Sequence, residues 1–247
     1  MNPVELIIIP YAIRDISARV CAPDSPSQKW VLFLNGAGAA LSKDRFLGMQ
    51  QELAKAGYNS LSFDYIGTGA TGGDLYTTSL ENRIEQCLVA VLWLQEQYGP
   101  IGELSIYGVS MGGYAALGLA AYLQSHGPVQ PRAVILAAGA AYAPEAHAVL
   151  FGPQFTSILR SDIGGKPSWN DSLSFEWLRT SVADVLLIVA ENDEVVPAEL
   201  SAQYKAAGEQ KVQGRFEYLL LPGCTHYIGQ TGEEGKLAST ILTFLKQ

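Results

Sequence analysis

Short apolar runs, broken by glycine-rich and polar segments, set the rhythm of this chain. Residues 4–10 and 13–21 are rich in aliphatic residues and predict an antiparallel pair at the N-terminus. The run WVLFLN at 30–35 is apolar almost throughout, as in a strand buried on both faces, and a glycine-rich turn follows it at 36–38. Residues 44–56 place Phe46, Leu47, Met49 and Leu53 near one face of a helix that Gly57 stops. A strand over 60–65 leads into a loop of Gly and Thr, and residues 80–98 form a long amphipathic helix closed by Gly99 and Pro100. Further strands are predicted at 104–109, 133–138, 185–190 and 216–221. Helices are predicted at 112–124, from Pro197 onward and at 234–245. This alternation is the pattern of βαβ units. It predicts an α/β fold: a mainly parallel, twisted sheet of about eight strands with helices on both faces, in one domain over 1–247. One stretch, 141–184, breaks the rhythm and is predicted to be a short lid inserted between two strands. Its aromatic residues suit either packing onto the sheet or lining an apolar pocket, and Phe151, Phe155, Trp169 and Trp177 are the candidates for substrate contact.

Composition narrows the function classes. A chain of 247 residues buries enough surface to need no disulfide or metal staple. The net charge of −8 disfavours nucleic acid and anionic membranes as partners. The three cysteines, Cys21, Cys87 and Cys224, form no C-x-x-C pair, so neither a disulfide framework nor a zinc site is expected, and a reducing, cytoplasmic setting fits best. The N-terminus lacks the basic region of a secretory signal, and no run is long enough for a membrane span. No cofactor or metal is implied, and the sequence assigns no oligomeric state.

The chemistry is concentrated in GVSMG at 108–112. This is G-x-S-x-G placed directly after a predicted strand and before a predicted helix, and that context carries more weight than the pattern. On so tight a turn, side chains two residues either side of Ser110 would collide, which explains Gly108 and Gly112. The turn points the hydroxyl away from the sheet, and the free N–H groups of the following helix start sit beside it.

A serine hydroxyl needs a base to take its proton. Of the three histidines, His226 follows the last strand, in a loop that this topology opens at the same sheet edge as Ser110. His126 reads as a helix-end cap and His147 falls in the predicted lid. The acid that orients the imidazole is expected from another loop at that edge. Asp193 in ENDEVVP fits, with Glu191 and Glu194 as neighbours able to compete. The order Ser110, Asp193, His226 is that of the α/β-hydrolase fold.

These motifs give a family resemblance. NGAG at 35–38, FDYIGTGATGG at 63–73, GVSMGG at 108–113, ENDEVVP at 191–197 and GCTHY at 223–227 resemble serine esterases, thioesterases and lipases of the α/β-hydrolase superfamily. By that resemblance, Ala37 and Met111 donate the two N–H groups of an oxyanion hole. Asn35 stands where the family usually has His and could hydrogen-bond backbone there, while Asp64 reads as a loop-bracing carboxylate. The implied activity is hydrolysis of an ester or thioester of a small to medium acyl group. An amidase or peptidase on the same scaffold is the alternative, followed by a non-catalytic receptor for a small ligand. Cys224 reads as a small apolar residue packed under the last loop.

Overall fold

The computed structural model describes residues 3–163, 165–228 and 234–247. The N-terminal apolar runs pair as predicted: β1 (Val4–Ile9) lies antiparallel to β2 (Ile16–Cys21), with Val4 opposite Cys21 and Ile9 opposite Ile16. The first βαβ unit is β3 (Lys29–Leu34), α1 (Leu47–Lys55) and β4 (Asn59–Phe63). The predicted helix at 44–56 opens as a single 3₁₀ turn over Lys43–Phe46, because the Ser42 hydroxyl accepts from the Asp44 N–H and caps that turn first. Then follow α2 (Leu80–Tyr98), β5 (Glu103–Val109), α3 (Met111–His126) and β6 (Pro131–Ala137). A capping box between Ser79 and Asn82 starts α2.

The segment predicted as a lid contains α4 (Pro153–Leu159), a two-residue hairpin of β7 (Asp162–Ile163) and β8 (Lys166–Pro167), and α5 (Leu173–Thr180). The chain closes with β9 (Asp184–Asn192), α6 (Ala198–Glu209), β10 (Phe216–Thr225) and α7 (Glu234–Leu245). The main sheet has eight strands in the order β1-β2-β4-β3-β5-β6-β9-β10. From β4 to β10 every neighbour is parallel, and β2 joins them antiparallel through β4.

Helices cover both faces, and the strands alternate their side chains between two cores. Val31 and Phe33 of β3 face α1 and α7, packing with Met49, Leu53 and Ile241. Leu32 and Leu34 face the other way, into a core built with Cys87 and Leu94 of α2 and Leu119 and Leu123 of α3. Each such side chain removed from water stabilises the fold by roughly 1.5–3 kcal/mol.

The predicted lid divides in two. Phe175 and Leu178 of α5 are buried in the main core, and α5 packs against α3 and α6, so it is the crossover helix that returns the chain from β6 to β9. Only the part ahead of α5 is an excursion above the sheet edge. Its ends meet: the Tyr142 N–H donates to the Ser172 hydroxyl at 3.2 Å, and Tyr204 of α6 donates to the Ala140 carbonyl at 2.8 Å.

The crossing of β5, α3 and β3 tolerates no side chain. A Cβ on Gly108 would lie 2.2 Å from the Gly112 carbonyl oxygen, and one on Gly112 would lie 2.3 Å from the Leu34 carbonyl oxygen. Both obstacles are backbone. Gly112→Ala is therefore expected to destabilise the protein by about 3 kcal/mol, the upper end of overpacking costs. Urea denaturation measures this, and an unchanged midpoint would show that α3 can shift freely.

Candidate active site

Ser110 sits between β5 and α3 with φ 54° and ψ −121°, a positive φ that a side chain rarely adopts. Three hydrogen bonds hold it there. Its N–H donates to the Ala137 carbonyl at 3.0 Å, and its own carbonyl accepts from Gly113 at 2.9 Å and Ala140 at 3.0 Å. Strain of this kind persists only where its surroundings over-determine it. The Ser110 side chain lies against the loop after β3, since a Cβ on Gly36 would be 3.1 Å from Ser110 Cβ and 3.6 Å from Oγ.

The parallel ladder of β9 and β10 sets the second part of the site. After an irregularity between Leu221 and Thr225, Thr225 pairs with Asn192. The next residue of each strand is thus His226 beside Asp193. His226 Nδ1 lies 3.0 Å from both Asp193 carboxylate oxygens, with the two side chains 11% and 6% exposed. Asp193 Oδ1 also accepts from the Val195 and Val196 N–H groups at 2.9 and 2.8 Å, which fix the carboxylate. The two neighbouring acids do other work. Glu191 accepts from the Gly223 N–H at 2.7 Å, and Glu194 accepts from the His226 backbone N–H at 3.4 Å. Among the described residues, no hydrogen bond joins the Ser110 hydroxyl to the imidazole.

Ala37 and Met111 line one cleft, of about 1160 Å³, together with Phe151 and Phe155 of the excursion. The Met111 N–H opens α3, where no helical carbonyl precedes it, so it is a free donor by position. Trp169 and Trp177 do not line this cleft. Trp169 is half-buried against the main core. Trp177 packs against Tyr114 and Gly118 of α3 and walls a neighbouring pocket with His147, its ring 5.1 Å from Tyr114 and 6.0 Å from His147. His147 faces Tyr114, whose hydroxyl is 3.1 Å from Nδ1. Burial holds that imidazole below the usual histidine range, with Glu81 pulling the other way. His126 ends α3 with its ring 5.2 Å from Tyr122.

Asn35 is fully buried, and among the described residues neither its amide nitrogen nor its oxygen has a partner. The backbone bond expected of it is thus absent. Asp64 braces its loop as expected. Its carboxylate accepts from the Lys43 N–H at 2.6 Å, the Lys43 ammonium at 2.9 Å and the Ala70 N–H at 2.9 Å. None of the three cysteines is in a disulfide, and Cys224 packs half-buried against the core under α7. Among the described residues, no cluster of His, Cys, Asp or Glu could hold a metal, and no helix is long and apolar enough to cross a membrane.

One further residue lines the cleft. Arg83, on α2, is 1% exposed and donates to the Gly36 carbonyl at 2.9 Å. Its signal in the sequence is a place in the apolar stripe of α2, in line with Leu80, Cys87 and Leu94.

The sequence matches the model of the prolyl oligopeptidase family, peptidase S9, over residues 45–247. The chain belongs to the prolyl oligopeptidase family. As a member of that family it is a hydrolase of the α/β-hydrolase superfamily, in keeping with the resemblance that the motifs carry. No curated protein matches it. Solved structures of the same fold include an esterase from Pyrococcus furiosus, at TM-score 0.74 and 18% identity over 99% of this chain and 91% of that one. Est1E from Butyrivibrio proteoclasticus, determined with ferulic acid bound, superposes at TM-score 0.72 with 17% identity over 97% and 98%. The thioesterase domain from the curacin biosynthetic pathway does so at TM-score 0.68 with 18% identity over 98% and 100%. This prolyl oligopeptidase family chain thus shares its fold with proteins described as esterases and a thioesterase.

Proposed function

We propose that this hydrolase is a serine esterase or thioesterase acting on small to medium acyl groups, with the whole chain forming one catalytic domain. The observation that carries the reading is Ser110 held at positive φ on the turn between β5 and α3, directly before Met111, which lines the cleft together with Ala37. The Ser110 hydroxyl attacks the acyl carbonyl while His226 takes its proton through Nε2. Asp193, on Nδ1, selects the tautomer and stabilises the imidazolium. The oxyanion of the tetrahedral intermediate is held by the N–H groups of Ala37 and Met111, each worth about 3 kcal/mol in such sites. His226 then protonates the leaving alcohol or thiol. It next activates water, which cleaves the acyl-enzyme and restores the serine. The imidazole must meet the hydroxyl during this cycle, and such bonds often tighten only with substrate bound. No cofactor takes part in this scheme. Three cysteines outside any disulfide fit action in the cytoplasm.

Esterases and a thioesterase among the proteins of the same fold support ester cleavage. A second reading, amide or peptide cleavage, is favoured by the match to a peptidase family. A fluorophosphonate probe tests the serine mechanism common to both. It is expected to label the wild type at Ser110, by peptide mapping, and to leave Ser110→Ala unlabelled. Labelling at another residue, or none, defeats the proposal. Faster turnover of p-nitrophenyl esters and acyl-CoAs than of matched p-nitroanilides separates the two readings.

A further inference from the structure

Arg83 is a cation in a place that should not hold one alone. It is 1% exposed, and among the described residues no carboxylate forms an ion pair with it. The guanidinium is held between two rings, with its carbon 4.4 Å from the centre of Tyr65 and 5.2 Å from that of Phe151. One arm, Nη1, donates to the Gly36 carbonyl, and Nε has no partner among the described residues. Burying a cation this way is costly unless an anion compensates it. Desolvation already works against its charge. The residue lines the cleft beside Ala37 and Met111, and Arg160 at the end of α4 lines the same cleft from its exposed side. Among the described residues, no acidic side chain lines that cleft. A protein of net charge −8 therefore presents a cationic, acid-free cleft next to its candidate nucleophile.

We propose that Arg83 and Arg160 recognise a carboxylate at the far end of the acyl chain, so that the preferred substrates are short dicarboxylic half-esters or half-thioesters. The inference rests on the ester-hydrolysis reading above and narrows its substrate class. A guanidinium fork matches a carboxylate in shape and charge; Arg83 lines the cleft, and among the described residues only its Nη1 arm makes a hydrogen bond. The chain between the two ends is short because Arg83 grips Gly36, the residue packed on Ser110. Phe151 and Phe155 give its methylenes an apolar wall. The overall step balances as hydrolysis. The bond from acyl carbon to leaving oxygen or sulfur breaks, and water supplies the hydroxyl to the acyl carbon and the proton to the leaving group. The products are a free dicarboxylate and an alcohol or thiol.

The test compares kcat/KM for p-nitrophenyl hydrogen glutarate with that for p-nitrophenyl valerate, its neutral counterpart of equal chain length. The wild type is expected to favour the charged ester by about tenfold or more, the worth of one hydrogen bond to a charged group. Arg160→Glu and Arg83→Met are each expected to lower that ratio about tenfold, with Arg83→Lys restoring part of it. Because damage to the Gly36 loop slows both esters alike, the ratio isolates recognition of charge. Glutarate binding to Ser110→Ala, by calorimetry, is expected as well and should weaken in Arg160→Glu. A ratio near one in the wild type, or one indifferent to both arginines, overturns the inference while leaving ester hydrolysis standing. If neither ester is cleaved but glutarate binds in an Arg83-dependent way, the anion site survives and the ester reading falls. If neither ester is cleaved and glutarate does not bind, both fall.

Discussion

Ser110→Ala will lower kcat/KM for the best ester by roughly a hundred-thousand- to a millionfold, the loss seen when the nucleophile of a serine triad is removed. The expectation follows from the division of labour in the site. Without the hydroxyl there is no acyl-enzyme, and the N–H groups beside it can only help water attack directly. The residue that remains should then be as slow in Ser110→Ala with His226→Ala as in either single variant, because the two act as one unit. Asp193→Asn is the milder lesion, about ten-thousandfold, since it keeps the hydrogen bond but imposes the wrong tautomer on His226. Urea titration should show Ser110→Ala folding with an unchanged or slightly raised midpoint, because the hydroxyl contributes no hydrogen bond to the fold among the described residues. Retention of more than a few per cent of activity in Ser110→Ala would remove the serine from the chemistry.

Asp64→Ala will cost about 3–5 kcal/mol of stability, the range for breaking a buried ion pair from one side. Asp64 is fully buried and Lys43 is 3% exposed. Deleting the carboxylate strands the Lys43 ammonium, which among the described residues keeps only the Ser17 hydroxyl, at 2.9 Å. It also releases the Lys43 and Ala70 N–H groups, so two loops lose their common anchor. One of them runs from β3 through Ala37 to α1, and activity should fall with stability. Denaturant unfolding gives the first number. The double variant Asp64→Ala with Lys43→Met should recover much of the loss, because the stranded charge is then gone. A loss below about 1 kcal/mol would mean that water reaches Lys43 and the pair is effectively exposed.

How far the chain could be read depends on which physical constraint each residue obeys. Ser110 was legible because a strained turn needs glycine at fixed offsets, and Gly108 and Gly112 both stand against backbone. Asp193 could be favoured over Glu191 and Glu194 in sequence, but only the β9–β10 register shows which carboxylate meets the imidazole. The eight strands followed from apolar runs, whereas their ends shifted by a few residues; β9 runs on to Asn192 and β10 to Thr225. An aromatic residue in an insert carries no sign of which pocket it will wall, and Trp177 stands beside Tyr114 and His147 rather than in the cleft of Ala37 and Met111. Residues 173–180 read as part of the lid for a related reason, since amphipathic periodicity looks the same in a crossover helix and in a cover. Arg83 hides among apolar neighbours in the sequence, although a lone charge on such a stripe is the kind of local conflict that marks function.

The excursion ahead of α5 leaves and rejoins the body where Tyr142 meets Ser172. It therefore behaves as a cassette. Residues 143–171 could be exchanged for the corresponding stretch of a relative with both splice points already clasped, and the pairing of β6 with β9 would not be disturbed. A lineage carrying this fold can thus acquire a new diet by rewriting one contiguous stretch of its gene, while the machinery on the strand ends is inherited intact.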